Sequence, residues 1–124
     1  MVKLLVIDSD SSATQTLRSL LPDGFSVLEH RKGALSLDVV QQFDPDVVFL
    51  AVGLSDISSD AVLQAIGGLP DAPPVVLAAR NLKTATIART VRAGAFSYLL
   101  KPYIRSEVLE VIDEAVHESI QHQR

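Results

Sequence analysis

Pro45-Asp46-Val47-Val48-Phe49-Leu50-Ala51-Val52-Gly53 is an apolar run opened by a proline and closed by a glycine. β-Branched and aromatic residues dominate it, and it is too short for a helix that must also show a polar face. It reads as a strand buried on both faces at the centre of a parallel sheet. In an open α/β sheet, ligands and chemistry gather at the carboxyl ends of such strands. Here that end presents Ala51, whose methyl group can do no chemistry.

Strands and helices alternate outward from this run. Residues 2–7 (Val-Lys-Leu-Leu-Val-Ile) form a first strand closed by Asp8-Ser9-Asp10. Asp10 or Ser11 can cap a helix with Ala13, Leu17, Leu20 and Leu21 inward, which Pro22-Asp23-Gly24 ends. Residues 25–29 form a second strand. After Gly33, Leu35, Val39 and Phe43 recur every fourth residue, giving a second helix with those three inward. Beyond the central strand, a loop with Leu54, Ser55, Asp56 and Ile57 leads into a helix near 58–67, with Val62, Ile66 and Leu69 inside. Pro73-Pro74 opens a strand over 75–79. Residues 83–93 read as a helix with Ile87 and Val91 inward and Gly94 as its C-cap. Residues 96–100 form the fifth strand, followed by Lys101-Pro102. The last helix sets Val108, Ile112, Ala115, Val116 and Ser119 on one face. Five strands alternating with five helices define one α/β domain over residues 1–124 with a parallel sheet. Residues 121–124 are polar and are expected to fray or to open a linker.

At 124 residues the chain can bury one two-sided core, and 48 % hydrophobic against 21 % charged residues is a globular rather than a disordered composition. The absence of cysteine excludes a disulfide framework, a thiol nucleophile and a cysteine zinc site. The chain enters a strand at once with no leader pattern, and no apolar run approaches the ~20 residues that span a bilayer. A soluble, cytoplasmic domain without a membrane partner is expected. The net charge of −4 argues against direct nucleic-acid binding. No Walker, Gly-x-Gly-x-x-Gly or Gly-x-Ser-x-Gly pattern is present, so nucleotide and hydrolase readings lack their loops. His30, His117 and His122 are scattered, with no metal-ligand spacing, and are expected on the surface.

Four stretches together resemble the receiver domain of two-component response regulators, the CheY-like family: Leu4-Leu5-Val6-Ile7-Asp8, Pro45 to Leu50, Pro74-Val75-Val76-Leu77, and Gly94-Ala95-Phe96-Ser97-Tyr98-Leu99-Leu100-Lys101-Pro102. The resemblance implies a flavodoxin-like, doubly wound fold of three layers with strand order 2-1-3-4-5. It also implies phosphoryl transfer from a histidine kinase onto an aspartate ending the third strand. That chemistry needs a carboxylate nucleophile, acidic residues holding Mg²⁺, and a lysine and a hydroxyl stabilising the phosphoryl oxygens. By resemblance, the acidic pair falls on Asp8 and Ser9, the phosphoacceptor on Ala51 and the hydroxyl on Ala79. The lysine falls on Lys101, the switch aromatic on Tyr98, and a metal-binding backbone carbonyl on Gly53. Ser55 and Ser59 stand where the family usually has proline and glycine. Losses at three cooperating positions, Ser9, Ala51 and Ala79, imply a degenerate pseudo-receiver.

The expected function is therefore a non-enzymatic signalling module of a phosphorelay pathway that works by protein–protein contact. Its partners would be a histidine kinase or an output domain in the same chain. No cofactor is expected, with Mg²⁺ entering only if the site is less degenerate than it reads. Two rival readings are an ordinary phosphoryl-accepting receiver whose aspartate was replaced by Ala51 through engineering, and a flavodoxin-like small-ligand binder.

Retained residues have plain expected roles. Lys101 should pair with Asp8 and hold the loops together. Asp10 should cap a helix rather than replace Ser9 as a ligand, and Asp56 and Asp60 belong to a surface loop. Tyr98 is expected to turn inward over Ala79, where a threonine would block it. Between Asp71 and Glu107 the chain has six cationic and no acidic residues. The last helix is acidic, so Lys83, Arg89 and Arg92 could meet Glu110, Asp113 and Glu114 of a second copy. By resemblance, that homodimer would form through the fourth helix, fifth strand and fifth helix.

Overall fold

The computed structural model describes residues 1–81, 83, 88–89 and 92–122, with side chains as far as residue 118. In chain order the elements are β1 (Val2–Ile7), α1 (Ser11–Leu20), β2 (Phe25–His30), α2 (Ser36–Phe43) and β3 (Val47–Ala51). They continue with α3 (Ser59–Gly67), β4 (Val75–Ala79), β5 (Ser97–Leu100) and α4 (Arg105–His122). The five strands are parallel in the order β2-β1-β3-β4-β5. The order reverses between β1 and β3, and a crevice opens there at the carboxyl ends.

All five residues of β3 are buried, as an uninterrupted apolar run demands, and so are all five of β4. Alternate side chains go to opposite faces of the sheet. Leu4, Val6, Val47, Phe49, Val76 and Ala78 pack on one side with Leu17 of α1 and Val108, Val111, Ile112 and Ala115 of α4. Leu5, Ile7, Val48, Leu50, Val75 and Leu77 pack on the other with Val40 of α2 and Val62, Leu63 and Ile66 of α3. Each such aliphatic side chain contributes ~1.5–3 kcal/mol on burial. The result is a three-layer α/β domain.

The helix starts follow their caps. Asp10 accepts hydrogen bonds from the Ser12 N–H at 3.0 Å and the Ser12 hydroxyl at 2.6 Å, while Ser58 accepts from the Ala61 N–H at 3.2 Å. Gly94 adopts φ 103°, a left-handed turn that glycine allows at a helix end.

The fold departs from the sequence reading in several places. Leu35 does not belong to the inner face of α2. It precedes the helix in a left-handed conformation and is exposed, so the buried positions are Ser36 and Val40. The period of four ran one residue too far because an apolar residue in a turn looks like one in a helix. The fifth strand starts at Ser97 rather than 96. Of the helix expected over 83–93, Ala88, Arg89 and Arg92 are helical, and Ile87 and Val91 lie outside the described residues. Four helices are thus delimited among the described residues where five are expected. The last helix extends to His122, with Gln123 and Arg124 outside the described residues.

Candidate functional site

The carboxyl ends of β1, β3 and β5 bring Asp8, Ala51 and Lys101 to one end of the crevice. Register sets them there: Ile7 lies beside Leu50, Ala51 beside Ala78 and Ala79 beside Leu100. The Lys101 N–H donates to the Ala79 carbonyl at 2.8 Å, continuing the ladder, and the Lys101–Pro102 peptide is cis. Lys101 Nζ then reaches across to Asp8 Oδ2 at 2.7 Å. Asp8 Oδ1 accepts from the Asp10 N–H at 2.9 Å. The expected ion pair is therefore present, and it is buried. Ala51 is 3 % exposed and presents only carbon.

Asp8, Ser9, Asp10, Gly53, Ala79, Arg80 and Lys101 are among the residues lining an open cavity of about 490 Å³ at this end. Its carboxylates are committed. Asp10 is held below its ordinary range chiefly by the Ser12 hydroxyl, helped by the N–H groups of Ser12 and Ala13. It also meets the exposed Arg80 at 3.4 Å, a surface pair that adds little.

Ser9, at the second acidic position, has a different job. Its hydroxyl donates to the Arg31 carbonyl at 3.0 Å, accepts from the Ser55 N–H at 3.2 Å and lies 3.3 Å from the Ser55 hydroxyl. The loops after β1, β2 and β3 are joined by it. Asp56 adds a second tie, accepting from the N–H groups of Gly33 at 2.8 Å and Ala34 at 2.9 Å. Those two hydrogen bonds hold its carboxyl below the ordinary range. Asp60 pairs with Arg89 at 3.4 Å.

Mg²⁺ requires an octahedral set of oxygens, with carboxylates among them. Here one oxygen of Asp8 is taken by Lys101 and the other by an N–H, Ser9 is neutral, and the Ala51 side chain has no oxygen. Among the described residues no group of three or more His, Cys, Asp or Glu side chains could hold a metal. The residues present do not fit the ion.

Tyr98 overturns its expectation. It is 42 % exposed, with Leu100 beside it on the same face at 48 %. In the sheet register Leu100 stands opposite Ala79 and Tyr98 opposite Leu77. Tyr98 instead lines a shallow groove of about 200 Å³ with Glu107, Glu110 and Glu114 of α4. Lys83, Arg92, Glu110, Asp113 and Glu114 are exposed, as an interface requires, whereas Arg89 has its partner Asp60 within the chain. His30, expected in solvent, bonds the Ala34 carbonyl through Nε2 at 2.8 Å.

Tyr103 escaped the sequence reading. It is buried with its ring centroid 6.0 Å from that of Phe49, and its hydroxyl has no partner among the described residues. Burial, then the charges of Asp8 and Asp10, push its phenol well above the ordinary range. An aromatic three residues after a strand end, flanked by Pro102 and Ile104, was the available signal.

Among the described residues no helix is long and apolar enough to cross a membrane. The sequence matches the response regulator receiver domain over residues 4–113. It is 35 % identical over 117 residues to the transcriptional regulatory protein KdpE of Mycobacterium tuberculosis, covering 94 % of this chain and 51 % of that one. It is 27 % identical over 122 residues to the cell cycle transcriptional regulator CtrA of Caulobacter vibrioides, covering 98 % and 53 %. The chain thus spans about half the length of the curated relatives it matches. The crystal structure of a CheY-like receiver domain protein from Methanospirillum hungatei JF-1 superposes with a TM-score of 0.87 at 18 % identity, covering 98 % of both chains. NtrX from Brucella abortus, in complex with ADP, gives 0.87 at 23 %, covering 99 % of this chain and 29 % of that one. These two likenesses establish the fold. The match over residues 4–113, with the 35 % identity to KdpE, places the chain in the response regulator receiver domain family.

Proposed function

We propose that this receiver works without aspartyl phosphorylation, as a pseudo-receiver that signals through protein contact and not through catalysis. The observation that carries this is the end of β3, where a buried methyl group stands at the position of the nucleophile. The site's other parts agree with it. Lys101 is bound to Asp8, Ser9 joins loops instead of offering charge, and Ala79 supplies no hydroxyl. No cofactor is required for such a module.

The partners are a histidine kinase of its pathway or an output domain. KdpE and CtrA are named as transcriptional regulators and are about twice as long as the region matched, which favours an output domain in the same chain. A homodimer across β5 and its flanking helices would set Lys83 and Arg92 against Glu110, Asp113 and Glu114. Exposed pairs contribute only ~0.2–1 kcal/mol each, so several must act together, and the dimer should weaken with salt. The setting is cytoplasmic, and no nucleic acid or membrane is bound directly.

Incubation with a small-molecule phosphodonor and Mg²⁺, followed by intact mass, tests the central reading. The mass should not change. A stoichiometric, hydroxylamine-labile phosphate adduct would overturn it.

A further inference from the structure

Leu35 combines three locally unfavourable choices. Its backbone is left-handed, with φ 62° and ψ 15°, a region that favours glycine or asparagine. It stands at the N-cap of α2, where serine, threonine, aspartate or asparagine would bond a free N–H and leucine cannot. Its side chain is 71 % exposed and belongs to neither core. Nothing in the fold is improved by leucine here. A strained residue displaying an apolar side chain to solvent is a reason to look for a partner.

The platform beneath it is fixed. Asp56 accepts from the N–H groups of Gly33 and Ala34, and the Ser36 hydroxyl donates to the Gly33 carbonyl. Ile57, also exposed, sits so close over Gly33 that a Cβ there would overlap it. Two exposed aliphatic side chains are therefore held by one clamped turn, and little ordering would accompany binding. The residues leading into the turn are Arg31 and Lys32, both exposed, and among the described residues neither forms an ion pair. Asp56 is directed at the backbone, and the exposed Asp38 lies in the first turn of α2. In a chain of net charge −4, this basic pair gives acidic groups a local attraction.

We propose that Leu35 and Ile57 anchor an acidic, aliphatic-bearing segment of a partner protein, with Arg31 and Lys32 receiving its carboxylates. This docking site is independent of Ala51 and stands whether or not the chain accepts phosphate.

A synthetic peptide alternating glutamate and leucine is the probe, titrated at low salt into the ¹⁵N-labelled chain. Amide shifts should centre on residues 31–35 and 57. Leu35→Asn should weaken binding about tenfold or more, while holding or raising the melting temperature, because asparagine suits both the turn and the cap. Arg31→Glu with Lys32→Glu should transfer preference to a lysine–leucine peptide. Shifts centred elsewhere, or undiminished affinity in Leu35→Asn, would overturn the proposal. So would concentration-dependent shifts of the same amides without peptide, which would assign the face to a second copy. Shifts with phosphatidylglycerol vesicles and none with peptide would assign it to a lipid surface.

Discussion

Lys101 Nζ and Asp8 Oδ2 meet at 2.7 Å with side chains only 12 % and 5 % exposed, so each neutralises a charge the interior would otherwise leave uncompensated. Removing one partner of such a buried pair strands the other at a cost of ~3–5 kcal/mol. Asp8→Asn and Lys101→Met should each lower stability on that scale in urea denaturation. Together they should recover most of the loss. Additive losses would mean that the pair is not a unit.

Asp56 provides a pH-dependent counterpart at the surface. Its folded-state pKa lies below the ordinary 3.8 because the Gly33 and Ala34 N–H groups favour the charged form. The stabilisation is complete above the unfolded value and fades as pH falls through the folded one. Urea midpoints of the parent and Asp56→Asn should therefore differ near pH ~5 and draw together as the pH falls below the ordinary 3.8. A constant gap would show that the clamp does not depend on the carboxylate charge.

Tyr103→Phe removes a buried hydroxyl that has no partner among the described residues. Leaving a buried donor unpaired costs ~1–3 kcal/mol, so the substitution should leave the melting temperature unchanged or raise it. A fall would show that the hydroxyl is bonded to a trapped water.

The triple change Ser9→Asp, Ala51→Asp and Ala79→Thr restores nucleophile, acidic pair and hydroxyl on an otherwise intact receiver fold. It should yield a labile phosphate and a melting temperature that rises when magnesium is added. Ala51→Asp alone should do neither, since such groups act as a unit. Added carboxylates beside Asp8 repel one another, so the triple variant should melt below the parent in chelator. Failure in both assays would trace the loss to the loop backbone around Ser55 and Ser59.

Much of the fold was legible because burial leaves a one-dimensional record. An apolar run from Val47 to Leu50 fits the centre of a sheet, and the cap Asp10 precedes its helix in plain view. The ion pair was legible too, since a lone lysine at one strand end and an aspartate at another leave few arrangements. Position along a strand relative to its neighbour was not. Tyr98 was expected over Ala79, yet it stands 42 % exposed and it is Leu100 that pairs with Ala79. The left-handed turn at Leu35 left no trace, because nothing in a leucine announces φ above zero. Nor could composition reveal that Ser9, read as a missing acid, would be a joint between loops.

That joint has a consequence for the conditions the module tolerates. Where loops are gathered around a bound cation, their shape follows the supply of that cation. Here the turns after β1, β2 and β3 are gathered by Ser9 and Asp56, through bonds internal to the chain. Their arrangement should be the same in a magnesium-starved cell as in a replete one.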